Sequence, residues 1–357
     1  MDRITRRDFL KLNAFGIAGT LLESSGGLPR HLQVQETRRL ARVVENRLNL
    51  RASPDVESPS AGTLVQDDVI PWYREVVGVH PYRINQRWVE TDGGYVYAPA
   101  LQPVANKPNQ ALPNLPDSSL GKGIWAEVTI PWVNVTLENP PARAPWLANT
   151  ANPRLYYSQV VWIDQVKDDG EGNVYYRINE RFGFGDRLWA DATGFRPLSV
   201  DDVAPIRPEA EEKRVIVNIG RQSLSCFEGQ REVYYCRVST GVKFDVEDNP
   251  SEEWATPPGP HPVWRKLISV HMVGGTTGGG WDLPGVGWTS LFVGNGVAIH
   301  STFWHNDFGV PRSRGCVNAR PEDAKWIFRW LEPVVPYDPG DVTVSMPGGT
   351  IVEVIEH

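Results

Sequence analysis

Apolar and polar residues alternate along most of this 357-residue chain, and a helical repeat is nearly absent. Residues 43–55 (VVENRLNLRASPD), 62–79 (GTLVQDDVIPWYREVVGV) and 85–104 (NQRWVETDGGYVYAPALQPV) read as short strands broken by Ser-Pro-Asp and Asp-Gly-Gly turns. The same rhythm returns in 125–135 (WAEVTIPWVNV), 154–180 and 188–206, where Asp168-Asp169-Gly170-Glu171-Gly172 between two aromatic, β-branched runs predicts a hairpin. From Lys213 the strands sharpen, in KRVIVNIGRQSLSCFEG and REVYYCRVSTG, before a Gly-rich, Trp-bearing stretch at 274–296. One helix stands out, RPEDAKWIFRWLEPV. Pro321 suits its first turn, Glu322 and Asp323 its positive end, and Ala324, Ile327, Phe328 and Leu331 fall on one face. Arg320 is a poor residue for the cap. Two strands around Pro347-Gly348-Gly349 close the chain.

The predicted class is therefore mainly β, in several domains. Boundaries follow composition: a leader at 1–27, a polar linker at 28–40, a first β block at 41–104, a Pro-rich linker at 105–121, a second β block at 122–206, and a third domain at 212–354. Both early blocks share a Trp, a Gly-aromatic step and a closing Pro, a weak internal duplication; a single irregular β domain is the rival reading. With 36 basic against 43 acidic residues, a net charge of −7 and no basic face, nucleic acid is excluded as a partner.

Chemistry concentrates near the end. Gly315 opens a backbone geometry closed to other residues and lets a substrate approach Cys316 without a Cβ in the way. Arg312 and Arg314 are expected to favour its thiolate. His300, ending the apolar run GVAI, is the candidate base; a Cys–His pair can share a proton and attack a carbonyl, with the amides of Arg314, Gly315 and Cys316 stabilising the oxyanion. Taken alone, Cys316 would be a packing residue. Trp281, Phe303, Trp304 and His305 are candidates to line the groove, each with a core or loop role as the alternative. His305 fits no usual zinc spacing, so neither metal nor cofactor is expected. His261 and His271 lack such context and are assigned structural or surface roles. Cys226 and Cys236 flank a hairpin; a turn centred on Gly229-Gln230 would set them opposite Val233 and Ser223, too far apart for a disulfide. Both are expected as reduced packing residues.

Three resemblances add to this. Thr5-Arg6-Arg7-Asp8-Phe9-Leu10-Lys11, with the apolar run Leu12 to Leu22, is similar to a twin-arginine export signal; the run is too short to span a bilayer, and signal cleavage is left open. That implies a periplasmic, wall or extracellular location. The phrases NLRASPD and QRWVETDGGYVYAPALQPV resemble bacterial SH3-like barrels, and the second block a further one, implying wall-polymer binding or a spacer. Residues 212–354 resemble the catalytic domain of the peptidoglycan L,D-transpeptidases, whose signature of a His, a gap, then Ser/Thr-His-Gly-Cys-hydrophobic-Asn/Arg falls on His300, Ser313, Arg314, Gly315, Cys316, Val317 and Asn318. VSTG (238–241), ATPPGPHPVWRK (255–266), WDLPGV (281–286) and WHNDFGVPRS (304–313) are family-like phrases. The resemblance implies that Cys316 attacks a tetrapeptide stem, expels D-alanine and passes the acyl group to an amine, with His300 moving the proton and the Ser301 carbonyl orienting it. Arg312 and Arg314 would draw in the stem's carboxylates. Arg314 departs from the family's His and cannot act as a base. Hydrolysis to a tripeptide, or a retired domain that only binds wall, are the alternative outcomes. Asn318 is assigned a structural role.

Overall fold

The computed structural model describes residues 39–243, 254–274 and 281–356; the Arg-Arg leader and nearly all of the linker after it lie outside them. Strands dominate, as the alternation predicted. In the first block a five-stranded sheet, ordered Ser60–Val65, Arg47–Arg51, Gly94–Tyr97, Arg87–Thr91, Arg74–Val77, meets a three-stranded sheet of Val69–Pro71, Leu40–Val43 and Leu101–Val104. Ala41, Val43, Trp72, Val89, Val96 and Leu101 form the core between them.

The second block is one seven-stranded antiparallel sheet from Arg154–Tyr156 to Phe195–Pro197. Its hairpin turns at Asp168–Gly172, with Asp168 opposite Val174, where the Asp-Gly pattern placed it. The Pro-rich segment before it is held down rather than free: Leu112 packs on this block's core and its amide donates to the Tyr176 hydroxyl at 2.6 Å.

The third block stacks two five-stranded sheets. One runs Arg231–Arg237, Ser223–Glu228, Lys213–Asn218, Ile351–Ile355, Gly259–Pro262; the other runs Val317–Ala319, Ala298–Ser301, Trp281–Leu291, Arg265–Gly274, Asp341–Thr343. The helix Pro321–Trp330 covers the core, burying Ala324, Ile327 and Phe328, with Phe328 edge-on to Trp288 at 5.5 Å. Arg320 contributes no side-chain cap, so the helix start relies on Pro321, Glu322 and Asp323. Lys266 is buried under the other end, donating to the carbonyls of Leu331 (2.5 Å) and Pro333 (2.8 Å), and burial pushes its pKa well below the usual lysine value. Trp125 and Trp162 of the second block join this core, so the blocks share apolar contacts.

Cys226 and Cys236 are free and buried in the same core. Their register differs from the expected one: Cys226 faces Tyr234 and Cys236 faces Leu224, because a bulge between Cys226 and Phe227 adds a residue to one strand.

His271 turns out to bridge blocks. Its ring is buried, with Nδ1 2.6 Å from Glu180 Oε2 and Nε2 hydrogen-bonded to Asp282, which also accepts from the Trp146 amide at 2.9 Å. Burial works to lower its pKa, but Glu180 and Asp282 outweigh burial and raise it. A folded pKa above the unfolded value means that the imidazolium's contribution is complete below about pH 6.5 and is lost as pH rises through the folded pKa. His271→Ala should therefore cost about 3 kcal/mol at pH 6, since two largely buried carboxylates lose their cation. Denaturant melts at pH 6 and pH 9 should show that deficit shrinking at the higher pH.

Candidate active site

Two short parallel strands build the site. Ala298–Ser301 pairs with Val317–Ala319, Ile299 opposite Val317 and His300 opposite Asn318. Cys316 lies in the turn that leads directly into Val317–Ala319, next to the strand that carries His300. The fold thus sets the turn of Cys316 beside the strand of His300.

The turn before Cys316 is fixed from several directions. Gly315 has φ of 113°, a left-handed conformation that disfavours any side chain, and a Cβ there would lie 3.2 Å from Val297 Cγ2. Its carbonyl accepts from Thr256 Oγ at 2.7 Å, and Thr256 in turn accepts from the Gly241 amide at 2.9 Å. Ser313 donates its hydroxyl to the Cys316 carbonyl. Residues 238–241 act as a backbone rail: the amides of Arg312 and Ser313 donate to Thr240 O at 3.0 and 3.1 Å, and Ser239 and Asn318 exchange two bonds of 2.9 Å. Gln222 ties the rail down by pairing with both the amide and the hydroxyl of Thr240. Among the described residues, the amides of Gly315 and Cys316 make no hydrogen bond outside the strand ladders.

His300 is buried, and its Nδ1 lies 2.9 Å from the Ser301 carbonyl. A carbonyl only accepts, so Nδ1 carries the proton and Nε2 keeps its lone pair. Burial lowers the imidazole's pKa to about 4, against the raising effect of that carbonyl. Ser301 Oγ accepts from the Gly287 amide at 3.1 Å, which fixes the residue that holds His300. Cys316 is half-buried, and desolvation of its sulfur pushes the thiol up to about 11, against a lowering contribution from the Ala298 backbone. Burial of the sulfur thus works against the thiolate that the neighbouring arginines are expected to favour.

Arg314 stacks on two indoles, 4.4 Å from the Trp254 centroid and 5.0 Å from that of Trp281. Arg312 reaches back to Asp307, 3.8 Å away. Trp281 is thus a partner of Arg314, in the strand Trp281–Leu291. Trp304 packs on the His300 ring at 5.7 Å, while Phe303 is buried and stacks on Tyr156 of the second block at 5.9 Å. His305 is enclosed: its Nδ1 accepts from the Asp307 amide at 3.1 Å, and the Asn318 side-chain amide lies 2.9 Å from Nε2. Burial, then Arg312 and His300, lower its pKa to about 3, which keeps it neutral. Sequence reasoning gave no role to Thr256, Gln222 or Trp254; only the phrase containing Thr256 had drawn notice. Among the described residues no group of three or more His, Cys, Asp or Glu is placed to hold a metal, and no helix is long and apolar enough to cross a membrane.

Residues 212–354 match the family model described as the L,D-transpeptidase catalytic domain. Similar solved structures include the Enterococcus faecium L,D-transpeptidase in a mutant form (21% identity over 42% of this chain and 51% of that one, TM-score 0.30). Others are an L,D-transpeptidase from Mycobacterium smegmatis (16% identity, 54% and 97% coverage, TM-score 0.31) and one from Mycobacterium tuberculosis (15%, 70% and 98%, TM-score 0.29). The match spans about half the length of the Enterococcus chain. No curated protein matches.

Proposed function

We propose that this protein, whose residues 212–354 match the L,D-transpeptidase catalytic domain model, performs cysteine-dependent acyl transfer on peptidoglycan stem peptides. The observation that supports the reading is the parallel register, which runs the turn of Cys316 alongside the strand of His300, while the Ser301 carbonyl leaves Nε2 free to accept a proton. Proton transfer accompanies attack: as Cys316 Sγ bonds to the carbonyl carbon of the stem's L-centre residue, its proton passes to His300 Nε2. The amides of Arg314, Gly315 and Cys316 are the donors for the oxyanion that develops. Collapse of the tetrahedral adduct breaks the bond to D-alanine, whose nitrogen takes the proton back from the imidazolium, leaving a thioester. An amine on a second stem then attacks it and restores the thiol. Arg314, clamped between indoles, and Arg312 supply fixed positive charge near the stem carboxylates.

The setting in this proposal is the cell wall after twin-arginine-type export, with the first two blocks as SH3-like, wall-binding modules. Incubating the purified protein with disaccharide-tetrapeptide tests the chemistry. Cross-linked dimers with release of D-alanine are expected; tripeptide alone would mean that water resolves the thioester, and no product with sustained binding to insoluble peptidoglycan would mean a retired domain.

A further inference from the structure

The loop 302–312, which joins the strand of His300 to the turn of Cys316, is held by residues more than two hundred positions earlier in the chain. Arg42 Nη2 donates to the Phe303 carbonyl at 2.9 Å. Arg87 Nη2 donates to the Asn306 carbonyl at 2.5 Å, and Asn85 Nδ2 to Asp307 Oδ1 at 3.0 Å. The Asn306 amide donates to Pro99 O at 3.1 Å. All four anchors belong to the first block.

Arg42 is the centre of this seam. It is 2% exposed; its Nε donates to Gln102 at 2.9 Å, its Nη1 pairs with Asp67 at 2.8 Å, and its guanidinium lies 3.9 Å above Tyr156, the ring on which Phe303 stacks. Burying a guanidinium is costly unless its donors are used in fixed directions, and here Gln102 and Asp67 of the first block hold it while it reaches Tyr156 of the second block and the Phe303 carbonyl of the third. The anchored loop reaches His300 by two routes. Phe303 precedes Trp304, which packs on the imidazole; Asp307 donates to His305, which contacts Asn318, the residue opposite His300.

We infer that Arg42 is a positioning residue for the acyl-transfer site, acting through the Phe303 carbonyl, and that the first block completes the catalytic loop rather than serving as a detachable spacer. The inference rests on the proposed function for its rate effect but not for its structural effect, so the test reads both. In the full-length chain, Arg42→Gln and, independently, Asn85→Ala are compared with wild type by hydrogen exchange over 302–308 and by carbapenem acylation of Cys316. Exchange in the loop should rise at least about tenfold, and the limiting acylation rate should fall about 30- to 100-fold, as displacement of a reacting group by about 1 Å does, with the half-saturating concentration within about threefold of wild type. Arg42→Lys keeps a charge for Asp67 but not the forked geometry, and should recover the melting temperature without the rate. Folded variants with unchanged loop exchange would overturn the inference whatever their activity; a changed half-saturation with an unchanged limiting rate would also overturn it. Should Arg42→Gln not fold, Asn85→Ala decides. Failure of wild type to acylate would count against the proposed function, and loop exchange would still decide the role of Arg42.

Discussion

Cys316→Ala is expected to slow D-alanine release by at least about 10⁴-fold, the scale on which removal of a covalent nucleophile is felt, with little change in the thermal melt. The separation of the two effects follows from the site. Cys316 sits half-buried just before a strand, and among the described residues its sulfur makes only a long 3.9 Å contact to the Gly296 carbonyl beside an interaction with the Ala298 backbone. Alanine leaves the parallel pairing of 299–301 with 317–319 intact. The turn is held by Thr256, Ser313 and the 238–241 rail, none of which uses the thiol. A comparable loss of stability would instead mean that Cys316 is a packing residue like Cys226 and Cys236.

His300→Gln is expected to lower turnover by about 10²- to 10⁴-fold, the usual worth of a positioned proton carrier, and to remove the acid limb of the pH–rate profile. With His300 at about 4 and the thiol at about 11, the active protonation state spans the neutral range. Wild-type activity should hold steady from about pH 6 to 9 and fall as pH drops through 4, where Nε2 gains a proton and can no longer accept one. Stability moves the same way. The folded pKa lies below the unfolded value of about 6.5, so the unfolded chain binds more protons between pH 6.5 and 4 and the fold weakens across that window, by roughly 3 kcal/mol if the whole shift is realised. Iodoacetamide alkylation of Cys316 should be slow at pH 7 and accelerate through pH 9 and 10. A fast alkylation plateau already present at pH 6 would indicate a preformed ion pair and contradict proton transfer during attack.

What could be read in advance was local. The helix from Pro321 and the hairpin at Asp168–Gly172 depend on residues near one another in sequence, where turn chemistry and periodicity operate, while the spacing of His300 from Cys316 was readable through the family resemblance. The register of Cys226 was missed by one residue because a bulge leaves no mark in the alternation on either side of it. The surroundings of Cys316 were not legible because charge near a thiol in sequence says nothing about where the guanidinium points; Arg314 stacks on Trp254 and Trp281, and burial of the sulfur works against ionisation. The hold of Arg42 on Phe303 joins positions 261 residues apart, beyond any local pattern. His271 looked like an ordinary histidine because its carboxylates arrive from the second block and the neighbouring strand.

The most direct test is the intact mass of the full-length chain after exposure to a tetrapeptide donor without acceptor, followed by peptide mapping. Loss of D-alanine with one acyl adduct, located on Cys316 and absent from Cys226, Cys236 and the Cys316→Ala protein, is the predicted result. An adduct that persists after that substitution, or a donor consumed without any thioester at Cys316, would contradict it.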